Sequence, residues 1–316
     1  MYRLAVYGKG GIGKSTIAAN LSFILSLGGH SVLHVGCDPK HDSTRLLMNG
    51  KIIRTFCEDM DSDPVCIGIN DIMCAECGSM GPGRGCVGKG IQMFFSRIAE
   101  VQADYMVADV LGDVVCGGFS IPARSENCNG VIIVTSGEMM SLYAANNIIR
   151  GLGNVNQAGC ILGIVLNRRG VKDEETTVRR FAEAVGLPIL CDIPRSEEFQ
   201  KAEAANLPLF LYDPDCLETA ELVRLADHIM SHPSSIRGSP LSDDFIQDMF
   251  SSHNWVPADQ EMSERRCRFD FIDRERNLAF RDGYVMPACT SHGAADAAMR
   301  ISDLAVIIHG PRNCAY

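Results

Sequence analysis

Gly8-Lys9-Gly10-Gly11-Ile12-Gly13-Lys14-Ser15-Thr16 follows the apolar run Leu4-Ala5-Val6-Tyr7 and precedes Ile17, Leu21, Ile24 and Leu25 at helical spacing. The three pieces read as a strand, a glycine loop and a helix. The spacing G-x-x-x-x-G-K-S is that of a phosphate-binding loop, in which glycines let successive backbone N–H groups close on phosphate oxygens. The helix N-terminus adds the positive end of its dipole. In that geometry Lys14 reaches the β- and γ-phosphates and Ser15 holds Mg²⁺. A glycine-rich turn with a lysine beside it is the plainer alternative, and the flanking strand and helix weigh against it. Lys9 is an extra cation, not needed to cradle the same phosphates, and it is placed to reach across a dimer interface to a partner chain's nucleotide.

Downstream, apolar runs alternate with helical patterns. Strands are expected at Ser31–Val35, Tyr105–Val110, Val131–Thr135, Ile161–Leu166 and Pro188–Ile193. Helices are expected at Glu138–Arg150, Glu174–Val185, Glu197–Ala205 and Leu217–Met230, while residues 51–73 give no clear pattern. The alternation predicts an α/β fold: a P-loop NTPase with a mostly parallel sheet, helices on both faces, and a C-terminal extension. Ligands of such folds bind at the carboxyl ends of the strands. Asp38, Lys40 and Asp42 follow the second strand, Asp38 being a candidate to orient water and Asp42 to serve magnesium. Asn167 and the Pro194-Arg195 turn follow later strands on the same edge and are candidates to contact a base.

Net charge is −10, which gives no general electrostatic reason to bind nucleic acid. No run approaches the roughly 18 apolar residues of a membrane helix, and the chain reads as cytoplasmic. Fourteen cysteines in such a chain point to thiols or metal sites rather than disulfides. Cys74, Cys77 and Cys86 lie in a stretch read as a Gly- and Pro-rich loop, where free backbone N–H groups suit the sulfurs of an iron–sulfur cluster. Asp109-Val110-Leu111-Gly112-Asp113 has the form of a switch loop that senses the γ-phosphate. Cys116 follows Asp109 by seven residues, at most about 25 Å of extended chain. A metal held there is mechanically tied to the phosphate site.

Together, YGKGGIGKST at 7–16, GCDPKHDST at 36–44, GRGCVGKG at 83–90 and DVLGDVVCGGF at 109–119 resemble the nitrogenase iron protein family of ATP-dependent electron donors. The resemblance implies a homodimer with one [4Fe–4S] cluster on its two-fold axis, Cys86 and Cys116 of each subunit supplying the thiolates. It also implies that Lys9 acts across the interface, that Asp38 positions water, and that Asp42 and Ser15 serve Mg²⁺. Lys40 becomes a phosphate or cross-subunit contact, and Asp109 to Asp113 carry the signal to the cluster. The implied partners are a nitrogenase-like catalytic component and a low-potential donor such as ferredoxin or flavodoxin. Two positions depart from nitrogenase donors: Lys89 stands where they carry arginine, and Cys77 where they carry serine or similar. The strings DPKHDST and DVLGDVVCGGF also resemble the reductase subunits of dark-operative protochlorophyllide reductase and of the nickel-tetrapyrrole reductive cyclase, so the acceptor stays open.

A composition shift over 231–242 reads as a linker between a 1–230 ATPase domain and a 243–316 extension. In the extension Cys289, a strand at Leu304–Ile308 and the string His309-Gly310-Pro311-Arg312-Asn313-Cys314 resemble the opening of a nitrogenase component-1-like protein. There, two such cysteines help to ligate a bridging cluster. Two other classes share parts of the pattern. A partitioning-type ATPase has the double-lysine loop, and a cluster or metal scaffold would gather Cys74, Cys77, Cys86 and Cys116 within one chain.

Overall fold

The computed structural model describes residues 1–38, 42–79, 87–110, 120–124, 128–154 and 160–251, with three short strands beyond them. The chain divides into two units, Met1–Gln247 and Asp248–Tyr316. Lys40, Asp113, Cys86, Cys116, Cys289, Cys314 and the strand expected at 304–308 lie outside the described residues.

The first unit is built on strand β1 (Tyr2–Gly8), helix α1 (Lys14–Leu27) and strand β2 (Val32–Gly36). Hydrophobic residues run nearly all round α1, from Ile17 to Leu25, because the helix is buried on almost every side. Its end is set by Gly28, whose N–H bonds back to the Ile24 and Leu25 carbonyls. Two strands follow in the stretch that gave no sequence signal and in the cysteine-rich run after it: β3 (Val65–Ile67) and β4 (Met73–Glu76). The expectation of a loop at Cys74 is therefore corrected. Cys74 sits in β4 opposite Cys66 of β3, because Cys74, Ala75 and Glu76 in succession are buried in the sheet before the glycines begin.

Helix α2 (Val87–Ile98) leads to β5 (Tyr105–Asp109), β6 (Gly130–Thr135), α3 (Met139–Asn154), β7 (Ile161–Asn167) and α4 (Glu174–Val185). Then come β8 (Ile189–Ile193), α5 (Glu198–Ala204), the single-turn α6 (Leu209–Tyr212), α7 (Leu217–Met230) and α8 (Asp243–Ser251). The eight strands order as β3-β4-β2-β5-β1-β6-β7-β8. All neighbours are parallel except β3 with β4. The central strands β1, β2, β5 and β6 are continuous apolar runs because helices cover both their faces. The carboxyl ends of β4, β2, β5, β1 and β7 thus share one edge, and the functional residues collect there.

Ser231 to Ser242 is tied to this body. Ile236 donates to the Ile161 carbonyl at 2.6 Å, and Ser239 to that of Val185 at 2.9 Å. The Leu241 peptide exchanges two hydrogen bonds with the buried Asn146 amide at 2.7 and 3.0 Å. In the second unit β9 (Phe271–Asp273), β10 (Leu278–Arg281) and β11 (Tyr284–Pro287) form an antiparallel sheet in the order β11-β10-β9.

Candidate functional site

The phosphate loop crosses the carboxyl end of β1. Gly8 adopts φ +153°, and a Cβ there would stand 2.4 Å from the Val134 carbonyl oxygen of the adjacent strand. Gly8→Ala is expected to lower stability by about 2–3 kcal/mol through strain and this clash, read in urea unfolding. A loss below about 0.5 kcal/mol would show that the loop relocates freely.

Helix α1 starts at Gly13 with no capping side chain and no acidic residue in its first turn. Its first N–H groups are left for a ligand, the condition for binding an anion. Lys14, almost fully buried, folds back to donate to the Lys9 carbonyl at 3.3 Å. Asn167, at the end of β7, donates to the Ile12 carbonyl at 2.7 Å and so braces the loop from the side. Arg169 donates to the Gly11 carbonyl and Arg195 to the Arg169 carbonyl. Glu174 accepts from the backbone N–H groups of Gly137, Arg169 and Gly170, which fixes this corner.

Three openings adjoin the loop. One of about 250 Å³ is lined by Gly13, Thr16, Asn167, Pro194 and Arg195, together with Phe199, Gln200 and Glu203 of α5. The expected base contacts therefore do come together beside the phosphate loop. The α5 residues were missed because only the fold brings that helix to α1, where Thr16 Oγ1 donates to Glu203 at 2.8 Å. The second opening, about 450 Å³, is lined by Ser15, Asp42, Ser43 and Arg45 among others, which puts the expected magnesium residues on one wall. The third, about 410 Å³, holds Lys9 with Glu138, Arg169 and Arg195.

Asp109 ends β5 beneath the loop. It is buried, and neither carboxylate oxygen has a hydrogen-bond partner among the described residues. Burial pushes its carboxyl up, while the Lys14 charge and the nearby Ser15 and Ser43 hydroxyls, short of bonding geometry, oppose that rise. A buried acid left without partners beside the Ser15 hydroxyl suits a divalent cation and its water shell, with Ser15 and Asp42 as the other oxygen donors. The residues present thus fit Mg²⁺.

Glu76 has no counterpart in the sequence reading. Gly36 pairs in register with Glu76 on one side and Asp109 on the other. In-register residues of a parallel sheet face the same way, and the missing side chain at Gly36 leaves the space that the Glu76 carboxyl fills. A Cβ on Gly36 would stand 1.8 Å from Glu76 Oε2. Glu76 Oε1 accepts the Thr44 N–H at 2.8 Å, and Oε2 is buried with no partner among the described residues. Burial raises the Glu76 carboxyl to about 7; Asp109 and Asp42 add to this, and the Thr44 contact works against it. A raised acid pKa stabilises the fold fully below the unfolded-state value near 4.5, and that stability is lost as pH rises through 7. Glu76→Gln is therefore expected to gain on wild type above pH 7, by roughly 3 kcal/mol at most. The gap should close toward pH 5 in urea melts. A constant gap across pH would mean that Glu76 does not titrate in this range.

Ser43 is held from the other side. His34, wholly buried in β2, contacts the Ser22 hydroxyl of α1 at 2.9 Å and the Ser43 hydroxyl at 3.0 Å. Burial lowers this histidine to about 4, so the ring is neutral at physiological pH. Cys74 and Cys77 are buried, and burial pushes both thiols up, Cys74 to about 12. Lys89 is exposed on α2.

A glycine loop between a parallel strand and an uncapped helix, with a buried acid beneath it, defines a P-loop ATPase. Solved structures agree on the fold. A cell division ATPase MinD from Pyrococcus furiosus superposes with a TM-score of 0.62 at 20% identity, over 73% of this chain and 99% of its own. A ParA family ATPase from Chlorobium tepidum TLS gives 0.61 at 19% identity, over 72% and 98%. At these identities the likeness is one of fold alone. The chain belongs to the NifH/frxC family of 4Fe-4S iron sulfur cluster binding proteins, whose model matches residues 2–256. A nitrogenase iron protein of Methanospirillum hungatei JF-1 is 42% identical over 269 residues, covering 80% of this chain and 96% of that one. In kind, then, it is an ATP-dependent iron–sulfur reductase.

Proposed function

We propose that this protein is the ATP-hydrolysing electron donor of a nitrogenase-like system, working as a homodimer. The observation that carries the reading is the family match across 2–256, which takes in the phosphate loop and the segments bearing both Cys86 and Cys116. These segments leave β4 and β5, which flank β2 on the sheet edge that carries the phosphate loop. Two cysteines per chain make a four-thiolate set only when two chains meet on a symmetry axis. The cluster supplies a one-electron carrier when bound.

The chain's own residues divide the remaining work. Backbone N–H groups from Gly10 to Thr16 and the Lys14 ammonium hold the phosphates, and Ser15 and Asp42 serve the metal ion. Asp38 orients the attacking water, Lys9 and Lys40 supply positive charge across the interface, and Asn167, Pro194 and Arg195 contact the base. Asp109, fixed at the end of β5, meets the nucleotide side directly, so loss of the γ-phosphate shifts the chain from Asp109 through Asp113 toward Cys116. An electron enters from a low-potential donor such as ferredoxin or flavodoxin and leaves to the catalytic component. Lys89, exposed on α2 just after Cys86, lies on the face read as the dock for that component. In the extension, Cys289 and Cys314 ligate a cluster only together with other chains.

Iron and acid-labile sulfide in the anaerobically purified full chain, carrying Cys289→Ser and Cys314→Ser, test the proposal. About two irons per chain, chelated faster with MgATP than without, is the expected result. About four irons per chain, or zinc, would mean an intrachain site and a scaffold instead. No helix of the described residues is long and apolar enough to cross a membrane.

A further inference from the structure

We infer that Glu76 is a positioning residue that transmits the nucleotide state from the Asp42–Thr44 segment into the chain that leaves β4 toward α2. The inference deepens the function proposed above and rests on it for its meaning, since that chain carries Cys86.

The path is short and buried. Thr44 lies two residues after Asp42, which lines the magnesium wall, and its N–H has the Glu76 carboxylate as its acceptor at 2.8 Å. Glu76 is the last residue of β4, fully buried, and its other oxygen occupies the space over Gly36 with no hydrogen-bond partner among the described residues. The backbone on either side is clamped. Phe56 N–H donates to the Glu76 carbonyl at 2.8 Å, Cys77 N–H to the Gly36 carbonyl at 2.8 Å, and Cys57 N–H to the Cys77 carbonyl at 3.0 Å. A displacement of Thr44 therefore cannot be absorbed by solvent or by a flexible side chain. It either breaks a hydrogen bond to a buried carboxylate, which is costly, or it carries Glu76 and the start of the following segment with it.

The same segment has a second anchor of a different kind. Ser43 reaches His34 and through it Ser22, which connects the segment to α1 and the phosphate loop through side chains other than Glu76. His34 thus serves as the control: removing it loosens Ser43 and leaves the Thr44 to Glu76 contact in place.

Hydrogen exchange of the full chain, with and without a non-hydrolysable MgATP analogue, reads the coupling. In wild type, nucleotide is expected to slow exchange in peptides covering 42–48 and 77–98. In Glu76→Ala the response at 42–48 should persist and that at 77–98 should fall at least about fivefold, with analogue affinity within about threefold of wild type. Glu76→Gln, which keeps the Oε1 acceptor, should restore the response, and His34→Leu should leave the 77–98 response intact. If Glu76→Ala does not fold, Glu76→Asp, one methylene short of Thr44, replaces it. Gly36→Ala, whose methyl expels the carboxyl, should give the same loss.

A 77–98 response that survives in Glu76→Ala, or that is missing from wild type, overturns the inference. Iron measured in the same preparations keeps the two readings apart. Wild type with about two irons per chain and an unaltered response in Glu76→Ala sinks the coupling alone. Absence of iron sinks the reductase reading, whichever way exchange turns out.

Discussion

Lys14→Met is expected to reduce ATP hydrolysis by about 10²–10³-fold or more, the usual cost of removing one charge aimed at developing phosphate charge. The structure explains why no neighbour replaces it. Lys14 is almost fully buried at the start of α1 and points back over the loop to the Lys9 carbonyl, so its ammonium is already inside the phosphate cradle. Lys9 lines the third opening with Arg169 and Arg195, and those two guanidiniums are occupied with backbone carbonyls. The substitution also removes the charge that opposes the buried Asp109 carboxylate, whose own carboxyl should then titrate higher still. Phosphate release under saturating MgATP measures the loss. A variant within about tenfold of wild type would mean that the phosphates lie elsewhere.

Cys116→Ser is expected to empty the protein of iron. In the proposed homodimer the change strikes twice, removing two of the four thiolates assigned to the shared cluster, and the two remaining Cys86 thiolates would not hold it. Iron should fall from about two per chain to well under one, and reduction of a nitrogenase-like acceptor should disappear. MgATP affinity should change by less than about threefold, because the groups proposed to hold the nucleotide, the Lys14 ammonium, the loop amides and Asn167, do not include that residue. Iron analysis beside a nucleotide titration separates the two effects. Retained iron would mean that other cysteines carry the metal.

The parts of this molecule that were legible in the sequence are those where one segment dictates its own geometry. The phosphate loop is such a segment, since the glycines, the lysine and the uncapped helix start are contiguous from Gly8 to Ser15. The strands β5, β6 and β7 were legible too, because burial on both faces writes them as apolar runs, and the edge strand β8 through its apolar residues beside a Gly-Leu-Pro turn. β4 was not, since its four residues lie between an unpatterned stretch and a Gly- and Pro-rich one that masks them. Glu76 was invisible for a related reason. Its meaning comes from Gly36 and Asp109 on neighbouring strands, forty and thirty-three positions away in the chain, and only the register of β4, β2 and β5 brings them side by side. Likewise nothing in the helix expected at Glu197–Ala205 singles out Gln200 and Glu203 until α5 is seen beside Thr16.

The hydrogen bonds between Asn146 and Leu241 bear on how this protein is best shortened for biophysical work. A chain stopped at Met230 would leave a buried amide in α3 with neither its donor nor its acceptor, and Arg150 without the Leu241 carbonyl and Asp243. That omission costs about 1–3 kcal/mol for the amide alone. Trimming should therefore begin beyond Ser251, which keeps Asp243 and the rest of α8 with its buried Ile246, if the ATPase body is to melt as the intact chain does.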